Sequence, residues 1–245
     1  MKRILAGPRA VEEALRVDPK RIAIVYVQRD GAARKLDFWA EAQRAGVRCE
    51  TRDAAELDAI ANGLRHQGVV GIGGDYPYAD LDVILARAKP APLLLALDQL
   101  SDPHNFGAII RSAIAFGADG VITLKDRAAP VTGVVVRAAA GATERAKIAR
   151  VTNLARTLQQ LRDTGLSVIG LDAGASQTLE TVPFDARGRV LVIGSEGDGL
   201  RRLTRDACDA LVRIHMPGGF ESLNASVAAA IALYESSRMR AALDR

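Results

Sequence analysis

Aromatic side chains make up only 4% of the 245 residues, and there are two cysteines, three histidines and one tryptophan. So few rings argue against RNA reading by the stacked-base platforms of RNA recognition motifs. Cys49 and Cys208 lie far apart with no Cys-x-x-Cys spacing, and His66, His104 and His215 are scattered. Neither a structural disulfide nor a metal site is therefore expected. No apolar run nears the roughly 20 residues that span a bilayer, and the N-terminus lacks an apolar signal core. The chain reads as soluble and cytoplasmic, with no membrane partner. One-sided charge is missing too: residues 1–75 hold 13 Lys/Arg against 11 Asp/Glu, and the rest hold 20 against 18. The net charge of +4 permits an anionic partner without demanding one. A local excess does exist, with seven basic residues between Lys125 and Arg156 against Asp126 and Glu144. Such a run is either a phosphate-facing strip or a solvated face.

What is present is alternation. The first 72 residues read as a turn and short helix with Pro8 in its first turn, then strands at 21–28, 47–51 and 68–72. Helices are expected between them, one around Ala33–Ala45 ending at Gly46 and one from the capping Asp53 through Ile60. This βαβαβ-like unit shows no paired carboxylates, no nucleophile beside a base and no phosphate-cradling loop, so it reads as a binding module. Residues 73–91, broken by glycines and prolines, read as a linker. From 92 onward strands are expected at 93–97, 121–124, 167–171, 190–193 and 211–214. Helices follow near 105–116, 133–140, 154–162, 203–208 and 222–240. Regular alternation of this kind implies an α/β domain with a parallel sheet covered on both faces.

Three of its strand-to-helix loops carry short polar residues and glycine. They are Asp102-Pro103-His104-Asn105-Phe106-Gly107 with Arg111 following, Gly194-Ser195-Glu196-Gly197-Asp198-Gly199, and Pro217-Gly218-Gly219 leading to Ser222-Leu223-Asn224. In one parallel sheet all three would meet at the C-terminal edge of the strands. Taken singly, each has a plain structural reading: Asn105, Ser222 and Asn224 as helix caps, Arg111 as an ion-pair partner, Glu196 as a brace for its loop. The glycine spacing at 194–199 is Gly-x-x-Gly-x-Gly. It is not the dinucleotide fingerprint, and it comes too late for a first βαβ unit.

Together and in this order the three blocks resemble the motifs of the SpoU (TrmH-type) branch of the SPOUT RNA 2′-O-ribose methyltransferases. The likeness covers essentially the whole chain. It implies a deep trefoil knot in residues 92–245 and an L30e-like RNA-binding domain in residues 1–72. Only through this resemblance do Arg9 and His66 become that domain's candidates for RNA contact. The N-terminal part is similar to the group that methylates a guanosine 2′-hydroxyl in the peptidyl-transferase loop of 23S rRNA. S-adenosyl-L-methionine is the implied cofactor, held at Gly194, Glu196, Gly199, Ile214, Met216 and Leu223. Arg111, Asn105, Glu196, Ser222 and Asn224 are the implied catalytic set, and a homodimer bound to rRNA the implied assembly. Arginine is effectively always protonated, so Arg111 is expected to grip a phosphate and polarise the 2′-oxygen rather than act as a base. His215 stands where the family usually has proline. A tRNA ribose methyltransferase, a non-catalytic RNA-binding protein and a nicotinamide oxidoreductase are the rival readings.

Overall fold

The computed structural model describes residues 3–31 and 38–243. The chain divides into two compact units. One comprises the chain up to Pro77 together with Pro130–Arg145, and the other comprises Tyr78–Ala129 and the chain from Ala146 onward.

The first unit has a four-stranded sheet of β1 (Arg3–Ala6), β2 (Ile22–Gln28), β3 (Arg48–Arg52) and β4 (Val69–Gly73), in the order β1-β4-β2-β3. β4 runs antiparallel to both β1 and β2, so the βαβαβ-like order of elements folds here into a mixed sheet with β1 added. β1 escaped the sequence reading because it has four residues and begins with an arginine. Arg3 is nonetheless buried, its guanidinium 2.8 Å from Glu144 and facing the Tyr76 ring. Burial pushes the Glu144 carboxyl above its ordinary range, against the pull of Arg3.

α1 (Pro8–Val17) turns Ala10, Val11, Ala14 and Leu15 inward, the i, i+1, i+4, i+5 spacing of an apolar helix face. The helix expected from Ala33 is seen as α2 (Phe38–Arg44), and residues 33–37 lie outside the described residues. α3 (Ala54–Ala61) opens with a reciprocal cap, Glu56 N donating to Asp53 Oδ1 at 2.9 Å and Asp53 N to Glu56 Oε2 at 3.0 Å. His66 is a structural residue. Its Nδ1 accepts from Gly68 N at 3.1 Å, which places the proton on Nε2 toward Asp58 at 2.9 Å. That leaves Arg9, which is exposed, as the surface candidate of the pair. The residues expected to form a helix of the second domain near 133–140 instead belong here as α6 (Gly133–Ala138), beside β1. Local pattern reveals a helix, but not which sheet it covers.

The second unit is built on a seven-stranded sheet, all parallel. Its strands are β5 (Leu93–Leu97), β6 (Gly120–Leu124), β7 (Ile148–Val151), β8 (Ser167–Leu171), β9 (Gln177–Thr178), β10 (Arg189–Ile193) and β11 (Ala210–Arg213). They lie in the order β7-β6-β5-β10-β8-β11-β9. Every residue of β5, β6 and β10 is buried, as expected of strands covered on both faces. The unit begins earlier than the linker reading proposed. α4 (Leu81–Ala86) places Ile84, fully buried, in the core with Leu94, Ile122 and Val190. Chain order runs outward from β5 to β7 and then returns to the other side, so the β5/β10 pair is the topological switch point. Ligands of open α/β sheets bind outside the strand C-termini at such a point.

The covering helices are α5 (Pro103–Ala115), α7 (Leu154–Asp163), α8 (Arg202–Asp206) and α9 (Ala225–Leu243), with α9 packed along α5. Arg189 at the start of β10 is fully buried and helps to hold α9. It donates to Ser236 Oγ at 3.1 Å and to the carbonyls of Val182 and Pro183 at 2.8 Å. Desolvation lowers its pKa to about 10. No helix among the described residues is long and apolar enough to cross a membrane.

Candidate active site

The loop after β10 folds back on itself. Ser195 and Gly199 exchange backbone hydrogen bonds, each 3.1 Å, with Gly197 and Gly199 at φ 89° and 65°. A Cβ at Gly194 would lie 2.2 Å from the Gly199 carbonyl carbon and 2.4 Å from its oxygen. No side chain of any kind fits there, because the obstacle is backbone.

Asp98, the first polar residue after the apolar β5, locks the loop's exit. It is fully buried, accepts from Arg201 N at 3.0 Å and Arg201 Nε at 2.8 Å, and donates its own N–H to Ile193 O at 2.8 Å. The sequence reading missed this pair, whose members lie 103 positions apart. The available signal was a lone carboxylate ending an all-apolar strand. Since the Arg201 side chain is 41% exposed, the pair is only half desolvated. Asp98→Ala is expected to cost about 2 kcal/mol of stability by the scale for hydrogen bonds to charged groups. It should also loosen the glycine loop, weakening about tenfold the binding of the S-adenosyl-L-methionine that the family resemblance implies; denaturant melts and ligand calorimetry check the two effects.

The first and third loops are joined directly. Asp102 caps α5, accepting from His104 N and Asn105 N at 3.0 and 3.3 Å. The His104 N–H foremost among these holds its carboxyl below the usual range. Asn105 is buried in the first turn, and its Oδ1 accepts from Asn224 Nδ2 at 3.1 Å. Asn224 Oδ1 in turn accepts from Ser226 N at 2.9 Å, so Asn224 caps α9. The last helix thus starts at Ala225, three residues later than expected, and Ser222 stays in the loop.

Between the second and third loops and the end of β8 lies a cleft of about 340 Å³. Its wall includes Gly194, Glu196, Gly199, Ile214, Met216, Ser222 and Leu223, so seven of the ten residues singled out from sequence share one surface. Asp172 and Arg205, an ion pair that the sequence reading did not find, line it as well. Asn105, Asn224 and Arg111 are not on this wall.

Asn105 and Arg111 do not share a helix face. Six residues at 100° each leave them about 120° apart, and Asn105 is buried where Arg111 is exposed. Among the described residues Arg111 has no hydrogen-bond or ion-pair partner. Glu196 is exposed and braces nothing among them, since Ser195 and Gly199 close the loop themselves. His215 is exposed. Cys208 is no nucleophile: its thiol donates to Thr204 O, and burial pushes its pKa up to about 12.

Comparison with known proteins supplies the family. Residues 92–234 match the SpoU rRNA Methylase family, and residues 4–79 match the RNA 2′-O ribose methyltransferase substrate binding family. A Bordetella pertussis protein named 23S rRNA (guanosine-2′-O-)-methyltransferase RlmB is 43% identical, covering 97% of both chains. Its namesake from Ralstonia nicotianae is 44% identical over 97% of this chain and 96% of its own. The solved structure of the SpoU methyltransferase AviRb from Streptomyces viridochromogenes, in complex with the cofactor AdoMet, superposes with a TM-score of 0.79 at 28% identity. That alignment covers 98% of this chain and 91% of the other. A family model over residues 92–234 and a relative 43% identical over nearly the whole chain place it plainly: the chain belongs to the SpoU rRNA methylase family.

Proposed function

We propose that the chain transfers the methyl group of S-adenosyl-L-methionine to the ribose 2′-hydroxyl of a guanosine in 23S rRNA, in the peptidyl-transferase loop. The observation that carries this is the cleft itself. Its ~340 Å³ lies within the roughly 300–1,000 Å³ of small-molecule sites, and one side is a backbone crook that closes on itself only because residue 194 is glycine. Gly194, Glu196, Gly199, Ile214, Met216 and Leu223 would hold the cofactor, with backbone N–H and C=O groups supplying the polar contacts. The cofactor supplies an electrophilic methyl on a sulfonium. The protein's tasks are to align the ribose oxygen with it and help that oxygen lose its proton. Arg111, cationic and without a partner among the described residues, grips the phosphate next to the target ribose and polarises the 2′-oxygen. The Asn105–Asn224 bond keeps the first and third loops in register, and Ser222 contacts substrate from the cleft rim.

The wider reading has the second unit tied in a trefoil knot, which its strand order accommodates, with β10 inserted between β5 and β8. The first unit is an L30e-like domain that holds the RNA, and the protein works in the cytoplasm. It acts as a homodimer. Val227, Ile231 and Tyr234 are exposed at intervals of four and three residues, an apolar stripe running along α9. A dimer with its sites at the interface gives Arg111 a cleft to serve, since it is not on the wall of the cleft of its own chain. Val227→Glu with Ile231→Glu is expected to yield monomers in sedimentation and to abolish turnover; a dimeric, active double variant overturns the assignment.

The function is tested by labelled methyl transfer from S-adenosyl-L-methionine to 23S rRNA transcribed in vitro, with bulk tRNA as the second arm. Incorporation into a guanosine 2′-O-methyl of the rRNA is expected. Incorporation into tRNA alone would move the chain to the tRNA ribose methyltransferases, and binding without transfer would make it an RNA-binding protein.

A further inference from the structure

We propose that Lys125, Arg127 and Arg156 form a track for RNA backbone phosphates, running from the methyl-transfer site along the C-terminal edge of the parallel sheet. The inference rests on the RNA-methylating function above and extends it to residues outside the three motif loops.

The run of seven basic residues in the sequence separates in space. Arg137 and Arg145 fall in the first unit. Lys147 precedes β7 and so sits at the sheet's opposite edge. Arg150, within β7, is engaged: its Nη2 donates to Lys125 O at 2.7 Å and its guanidinium lies 4.8 Å from the Tyr78 ring centre. Lys125, Arg127 and Arg156 remain, all exposed and all just past the C-terminal ends of β6 or β7. None has a side-chain hydrogen bond or ion pair among the described residues. Asp126 is the carboxylate between the first two, and it too is exposed.

Their loops are fastened to the site. The β6 loop is bonded to the β5 turn by Ala129 N to Leu100 O at 2.9 Å, and to β7 by Lys125 N to Val151 O at 2.9 Å. With strands ~4.8 Å apart, the β6 and β7 loops lie about 5 and 10 Å along the edge from the turn that carries Asn105. Arg156 stands in the first turn of α7, where Asn153 caps the helix and its dipole disfavours a cation. A polyanion lying across this edge offsets that penalty. Three exposed cations past neighbouring strand ends, with the Tyr78 ring already held by Arg150, fit backbone phosphates rather than base readout.

The test uses full-length unmethylated 23S rRNA transcript, filter binding across a salt series, and steady-state methyl transfer. Removing three phosphate contacts by Lys125→Ala, Arg127→Ala and Arg156→Ala is expected to weaken binding about 10- to 100-fold. It should also flatten the log–log salt slope by about 2, at roughly 0.7 per contact. KM for RNA should rise while kcat at saturating RNA and the heat of S-adenosyl-L-methionine binding hold. Lys147→Ala, on the opposite edge, should change nothing. Asp126→Lys should tighten binding, a gain that misfolding cannot mimic. An unchanged slope in the triple variant, or unchanged affinity in Asp126→Lys, overturns the track. If wild type binds RNA with the expected slope changes but transfers no methyl group, the track stands and the methyltransferase reading falls.

Discussion

Gly194→Ala is expected to bind S-adenosyl-L-methionine at least ~100-fold more weakly than wild type, a loss of about 2.7 kcal/mol. The reason is steric and local. The added carbon would sit 2.2–2.5 Å from the carbonyl of Gly199 and the nitrogen of Leu200, and none of these atoms ends a flexible side chain that could swing away. The loop must open, breaking the paired Ser195–Gly199 bonds and shifting the exit held by Asp98. Stability should fall by ~1–3 kcal/mol, the usual cost of overpacking, so the chain still folds and the loss of affinity is measurable. Gly218→Ala is the matched control. A Cβ there meets nothing within 4 Å and its φ is not positive, so both stability and donor affinity should hold. Calorimetry on the two variants separates loss of the crook from a general intolerance of substitution. Equal affinities would remove the crook from the account.

The second large effect falls on turnover alone. Arg111→Ala is expected to reduce methyl transfer about 10²–10³-fold, the scale for removing a charge-stabilising group at a reacting oxygen, while donor affinity stays within twofold. The separation is expected because Arg111 is exposed, lacks a partner among the described residues and does not line the donor cleft. Arg111→Lys should recover only part of the rate, since an ammonium cannot make the two-pronged contact of a guanidinium to phosphate. A fully active alanine variant would contradict the assigned role, and a variant that no longer bound the donor would place Arg111 in the cleft's own architecture.

These two residues also mark what sequence could and could not disclose. β5 and β10 were legible because an unbroken apolar run bounded by turn residues has few other readings, and Asp53 was legible as a cap, whereas α5 is capped by Asp102 and not by the expected Asn105. β1 and β7 were not legible, each being four residues long and carrying an arginine that a pattern reader counts as surface. The meeting of the 194–199 and 214–224 loops was expected from alternation alone, and it is what the fold shows. The order of strands around them was not, because insertion of β10 between β5 and β8 is settled by long-range packing. The same holds for Asp98 with Arg201 and for the membership of residues 130–145 in the first unit. Periodicity along one segment has no information about partners a hundred residues away. Asn105 and Arg111 are nearer neighbours, yet helical geometry sets them a third of a turn apart, one buried and one exposed.

The most direct test of the central claim is a crystal structure of the protein grown with S-adenosyl-L-methionine. The account predicts the donor in the cleft walled by 194–199, 214–216 and 222–223, its polar groups met by backbone atoms of the glycine crook. A donor bound elsewhere on the chain, or a cleft that closes without it, would contradict the claim.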